Sequence, residues 1–276
     1  MLHAPPTLAL PTPALQRARG RVELSVRRRD GATRLERLFQ QGSAKAFLPR
    51  VEGDTPEAAL VNTAGGVTGG DRFHYALGVG ENAALTATTQ SAERVYRALG
   101  TPPARVDLSL SLGPGATLAW LPRETILFEG GRLRRRMEAD LAAGATLTAL
   151  ETLALGRAAM GETVTRGEYV DGWRIRREGR LIHAEALRLS GDLTRATVGL
   201  GGALATATLI HAGPDAEARL EPARRALEAP GVEAAASLKP GVLVVHWLAA
   251  DLAPLRAALA QFLTAFRGAP PRVWSL

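Results

Sequence analysis

The chain has 276 residues, 46% of them hydrophobic, no cysteine, and a formal net charge of +7 from 34 Lys+Arg against 27 Asp+Glu. A chain this long buries about three quarters of its unfolded surface, so a substantial core is expected. The lack of cysteine excludes disulfides, thiolate metal sites and cysteine nucleophiles and fits the cytoplasm. No stretch reaches the roughly 18 uninterrupted apolar residues of a membrane span, so no membrane association is expected.

Lys45 and Lys239 are the only lysines, and arginine supplies the rest of the positive charge along the whole chain. That spread argues for compositional bias rather than a nucleic-acid footprint. The densest basic run, Arg132 to Arg136, is the exception to test.

The segment from Leu2 to Leu15 is apolar, carries Pro5, Pro6, Pro11 and Pro13, and lacks the basic leader of an export signal. It reads as an extended or disordered lead over residues 1–20, ahead of a first strand at Arg21 and one β-rich domain over 21–276. Between Phe73 and Leu189 one unit recurs: strand, glycine-containing corner, strand. Phe73 to Leu77 leads to Leu85 to Thr88, and Val106 to Leu112 leads to Leu118 to Leu121. Leu133 to Leu141 then leads to Leu147 to Leu150, and Trp173 to Arg177 to Leu181 to Leu189. Leu85, Leu118, Leu147 and Leu181 recur at a near-constant interval, the mark of stacked β units. Val106, Leu108, Leu110 and Leu112 alternate with Asp107, Ser109 and Ser111, the period of a strand buried on one face. The fold class expected is mainly β: a stacked two-sheet, solenoid-like body.

The C-terminal third, from about residue 213, changes character. Asp215 to Ala229 predicts an amphipathic helix with Leu220, Ala223 and Leu227 on one face, and Gly241 to Leu248 an apolar strand. Asp251 reads as the N-cap of a second helix bearing Leu255, Leu259, Phe262 and Phe266, stopped by Gly268 and Pro270-Pro271.

Gly65-Gly66-Val67-Thr68-Gly69-Gly70-Asp71 is the most unusual string. It is neither a P-loop nor a dinucleotide fingerprint, and the strand behind it offers no helix N-terminus to a phosphate. Two readings stand: a tight crossover with Asp71 capping the turn, or the same turn presenting a carboxylate to a cavity. Glu93, Glu151 and Glu185 lie in or beside apolar strands. An unpaired carboxylate in a dry core costs several kcal/mol, so these acids either pair with arginines or line a wet channel. His183 and Glu185, two apart on a strand, share a face and suit nickel or zinc. His74, His211 and His246 have no ligand at useful spacing. No Gly-x-Ser-x-Gly elbow or triad spacing appears, so no enzyme is expected. Arg94, Tyr96, Arg97 and Trp274 have the aromatic and guanidinium character of partner interfaces, with core roles as the alternative.

Several motifs together are similar to one family. They are Gly65 to Arg72, Thr88-Thr89-Gln90-Ser91-Ala92-Glu93-Arg94-Val95-Tyr96-Arg97, Trp120-Leu121-Pro122-Arg123-Glu124-Thr125-Ile126-Leu127-Phe128, Leu155-Gly156-Arg157-Ala158-Ala159-Met160-Gly161-Glu162 and Pro271-Arg272-Val273-Trp274. In this order they resemble the UreD (UreH) family of urease accessory proteins, from about Ala59 onward. Thr63-Ala64 departs from the proline usual before the glycines, and Arg94 from a common lysine. The resemblance implies a protein without a reaction of its own that associates with apo-urease and UreF, with the GTPase UreG docking on that assembly. It implies no tightly bound cofactor, transient nickel(II), and a water-filled passage whose wall includes Asp71, Glu93, Glu151 and Glu185; His183 joins this metal-transit set on its spacing from Glu185. The competing expectations are a docking adaptor with no metal path, and, from charge alone, a basic nucleic-acid-binding β protein.

Overall fold

The computed structural model describes residues 16–50, 53–100, 102–157, 161–194 and 200–275. The lead-in through Leu15 and the Ala158-Ala159-Met160 stretch lie outside the described residues. The first strand starts two residues before its predicted position: β1 (Arg19–Arg29) forms an antiparallel hairpin with β2 (Ala32–Gly42), and β3 (Ala44–Phe47) pairs antiparallel with β4 (Glu57–Asn62).

Three coils follow, each a strand in one sheet, a tight corner and a strand in the other. They are β5 (Arg72–Val79) to β6 (Ala84–Thr89), β8 (Ala104–Leu112) to β9 (Thr117–Trp120), and β11 (Arg132–Leu141) to β12 (Thr146–Leu155). Short β7 (Glu93–Val95) and β10 (Thr125–Leu127) run parallel to each other on the return paths. The corners stack backbone on backbone, and at Gly113 a Cβ would stand 2.9 Å from the Glu81 amide nitrogen, which leaves room only for glycine. Coil on coil, Leu118 is the register partner of both Leu85 and Leu147, so the leucine interval read from sequence is the interval of one coil.

The fourth unit differs. β13 (Arg166–Arg177) and β14 (Arg180–Asp192) form an antiparallel hairpin within one sheet, so Leu181 does not join the leucine row and is 50% exposed. The cause is the turn: Glu178 and Gly179 both adopt positive φ (50° and 78°), the two-residue geometry that folds a strand back on itself rather than carrying it to the facing sheet. The chain then adds β15 (Ala205–Ala212), β16 (Val232–Lys239) and β17 (Val242–Ala249). The first sheet runs β14-β13-β11-β8-β5-β1-β2 and the second β16-β17-β15-β12-β9-β6-β4-β3, with β10 paired to β12 and β7 paired to β10.

The main core lies between the sheets, built from alternate residues such as Leu108, Leu110 and Leu112. A second core lies on the outer face of the second sheet under α2 (Leu252–Arg267), where Leu255, Leu259, Phe262 and Phe266 are buried as the sequence predicts. Asp251 caps this helix by accepting from Ala253 N at 3.2 Å, and Gly268 ends it at φ 96°. The other predicted helix is mostly turns: only α1 (Leu220–Arg225) is helical. Pro222 sits in the first turn of α1, where its missing N–H is not needed, but its ring clashes with the carbonyl four residues back, so the residues from Asp215 up to α1 stay as turns. Among the described residues, no helix is long and apolar enough to cross a membrane.

Candidate functional site

The site follows from three strands whose inward positions carry polar residues. On β11, Leu133, Arg135 and Met137 face inward while Arg134 and Arg136 face solvent, and on β13 the inward set is Tyr169, Asp171 and Trp173. Facing them across the core is Glu151 on β12, itself buried.

These residues close one network. Arg135 donates through Nε and Nη2 to the two oxygens of Asp171 at 3.1 and 2.7 Å, and through Nη2 to Tyr169 Oη at 2.7 Å. Its Nη1 is paired with Glu151. The indoles complete the shell: Trp120 Nε1 donates to Glu151 at 3.0 Å and Trp173 Nε1 to Asp171 at 3.0 Å. Two carboxylates share one guanidinium, and Arg135 is held in its charged form, its pKa raised by Asp171 and Glu151 against its burial. Burial pushes the Glu151 carboxyl up, the Asp171 charge adds to it, and Arg135 opposes both.

A cavity of about 130 Å³, room for several waters, lies on one side of this network. Its wall includes Asn62, Glu93, Trp120, Arg123, Arg135 and Glu151. Asn62 Nδ2 donates to both Glu93 oxygens, at 3.1 and 3.3 Å. Burial raises the Glu93 carboxyl to about 7, with Asn62 and Arg135 pulling the other way. A second cavity of about 30 Å³ lies on the other side and is bordered by Glu151, Asp171, Glu185 and Thr208. Glu151 belongs to both walls. Thr208 on β15 is the register partner of Glu151 on one side and of His246 on β17 on the other, which continues the polar row across the sheet.

At the far end, Glu185 of β14 meets His183, with Nε2 to Oε2 at 3.3 Å, and His246, with Nδ1 to Oε1 at 3.9 Å. Thr208 Oγ1 is 3.4 Å from Glu185 and 3.1 Å from His246. Burial works against ionisation of Glu185, but His183, His246 and Thr208 together hold its carboxyl below the usual range.

The structure thus brings Glu93 and Glu151 to one cavity and Glu151 and Glu185 to the other, with His183 against Glu185. Asp71 lines neither cavity: its oxygens accept from Ala18 N and Thr68 N, both at 2.8 Å, closing the glycine turn. In that turn Gly65, Gly66 and Gly70 have positive φ, and a Cβ on Gly69 would meet Ala98 at 2.9 Å. A Cβ on Gly66 would fall 2.6 Å from the Tyr96 ring, so this glycine lets Tyr96 pack over the turn. Arg94, Tyr96 and Arg97 are exposed on this edge. Trp274 instead locks the C-terminus inward: its Nε1 lies 3.3 Å from Thr88 Oγ1 and from the Leu121 carbonyl, and Arg123 lies over its ring.

Arg135, Asp171 and His246 escaped the sequence reading. The alternation of β11 and β13 carried a signal for the first two, since each falls on an apolar, inward register. His246 had none, because its neighbours arrive from strands distant in sequence. The basic run is not a free patch: Arg132 and Arg134 pair with Glu168, and Arg136 pairs with Glu138. Elsewhere His211 is buried between Thr148 Oγ1 and Asp215, both at 2.8 Å, where burial lowers its pKa. Among the described residues, no three ligating side chains already converge on one metal position.

A family model described as UreD urease accessory protein matches residues 18–275. A urease accessory protein UreD of Methylobacterium sp. (strain 4-46) is 48% identical over 273 residues, covering 95% of this chain and 96% of the relative. Its counterpart in Cereibacter sphaeroides is 49% identical over 271 residues, covering 97% and 98%. The UreD of Chelativorans sp. (strain BNC1) is 46% identical over 272 residues, covering 97% of each. The match from the first strand to the C-terminal turn places this chain in the UreD family of urease accessory proteins, with an accessory rather than an enzymatic role.

Proposed function

We propose that this protein acts in the cytoplasm by binding apo-urease together with UreF, and through UreF the GTPase UreG, and that nickel(II) crosses it along the polar row between its sheets. The observation that carries this reading is the pair of cavities sharing Glu151 as a common wall, with Glu93 on one side and Glu185 and His183 on the other. A hydrated divalent ion needs polar walls to offset its desolvation, yet strong binding would trap it. Carboxylates spaced along a path, rather than gathered in a cage, meet both needs.

The experiment is urease activation with Glu93→Leu and Glu185→Leu, alongside pull-down of the accessory complex. The expected result is an intact complex with activation reduced at least tenfold. Unchanged activation in both variants rules the passage out. The adaptor reading has its own support, since Arg135 is ion-paired with both Glu151 and Asp171 where the two cavities meet. It expects the same variants to weaken partner binding before they affect metal delivery.

A further inference from the structure

We infer that His183, Glu185 and His246 form a binding station for one borderline first-row divalent cation, nickel(II) or zinc(II), at the outer end of the second cavity. Two imidazoles and one carboxylate are the donor set such ions prefer, whereas magnesium and calcium select oxygen alone. The spacing suits it. At bond lengths near 2.1 Å, neighbouring ligand atoms stand about 3 Å apart or slightly more, and the imidazole nitrogens lie 3.3 and 3.9 Å from the two Glu185 oxygens.

An independent observation points the same way. The His183 side chain is 0% exposed, yet neither ring nitrogen has a hydrogen-bond partner. Its 3.3 Å approach to Glu185 is therefore an electrostatic contact without hydrogen-bond alignment. Burying an imidazole with both nitrogens unsatisfied costs free energy that packing alone does not explain. A cation between His183 and Glu185 would take the Nε2 lone pair and the carboxylate charge together. His183 and Glu185 are fixed by the β13–β14 hairpin, while the His246 side chain reaches them from β17 and is 50% exposed. Thr208, within reach of both Glu185 and His246, holds their relative placement from the second sheet. The donors alone carry the site; its role as a stop on a transit route rests on the passage proposed above.

The test is equilibrium dialysis of the purified, metal-stripped full chain against nickel chloride at pH 7.5. Wild type is expected to bind one equivalent, His246→Ala and Glu185→Gln to bind at least tenfold more weakly, and His74→Ala to match wild type. Circular dichroism checks folding, and the exposed His246 gives a variant that folds if Glu185→Gln does not. Wild-type affinity in His246→Ala, or no stoichiometric uptake by wild type, overturns the site. If uptake falls in His246→Ala while Glu93→Leu and Glu185→Leu still activate urease, the station stands and the passage falls. If wild type takes up no nickel while those variants fail to activate, the passage stands and the station falls.

Discussion

Arg135 and Asp171 are register partners on neighbouring parallel strands, and the guanidinium of the first bonds both oxygens of the second inside the sheet sandwich. Because the same guanidinium also pairs with Glu151, its removal leaves two carboxylates facing each other out of water. Breaking a buried pair from one side costs about 3–5 kcal/mol. Arg135→Met is therefore expected to lower unfolding free energy in urea by that amount. Adding Glu151→Gln should restore about 0.5–3 kcal/mol, because the two sites share one network. Strict additivity in the double mutant would mean that Glu151 does not depend on Arg135.

Glu93 gives the fold a pH dependence of known sign. Its carboxyl titrates near 7 in the folded chain, against an ordinary value of 4.5. Between those values the folded protein keeps a proton that the unfolded chain has released, so this group's contribution to stability falls as pH rises through the window. Glu93→Gln removes the titration. Its melting temperature should exceed wild type by at least about 2–4 °C at pH 8, the shift that about 1 kcal/mol produces at this size, with the gap closing below pH 4.5. A constant difference across pH would remove Glu93 as the source.

Much of the fold was legible because one physical signal repeated. Leucines at the coil interval, alternation along β8 and glycine at the corners all agree with the same stack. What failed were places where a local detail overrode the pattern: the Glu178-Gly179 turn, which folds β14 back into its own sheet, and Pro222, which cuts the first helix short. The site was half legible. Glu93, Glu151, Glu185 and His183 stood out as polar residues in apolar strands, but Arg135 was hidden within a run of arginines whose other members are on the surface. Only the strand's period separates them. His246 needed two sheets to be brought face to face before it had neighbours at all.

The leucine row makes the difference between the coils and the hairpin measurable. Leu118 is fully buried between Leu85 and Leu147, so Leu118→Ala should cost about 2–5 kcal/mol through lost burial and the cavity left behind. Leu181 occupies the same place in the sequence interval but is 50% exposed. Leu181→Ala should stay within about 0.5 kcal/mol of wild type by urea denaturation. Equal losses would restore Leu181 to the stack.

Asp71 separates turn capping from ion transit within the same acidic set. Each of its oxygens already accepts a backbone N–H, from Ala18 and Thr68, so the carboxylate ties β1's approach to the glycine turn and lines neither cavity. Asp71→Ala strands two amides and should cost about 1–3 kcal/mol. Asp71→Asn keeps an acceptor for one of them and should cost less. At a temperature where both variants remain folded, urease activation per mole of folded protein should equal wild type, in contrast to Glu93→Leu and Glu185→Leu. A tenfold loss of activation in Asp71→Asn, with its melting curve unchanged, would move Asp71 from the turn to the path of the ion.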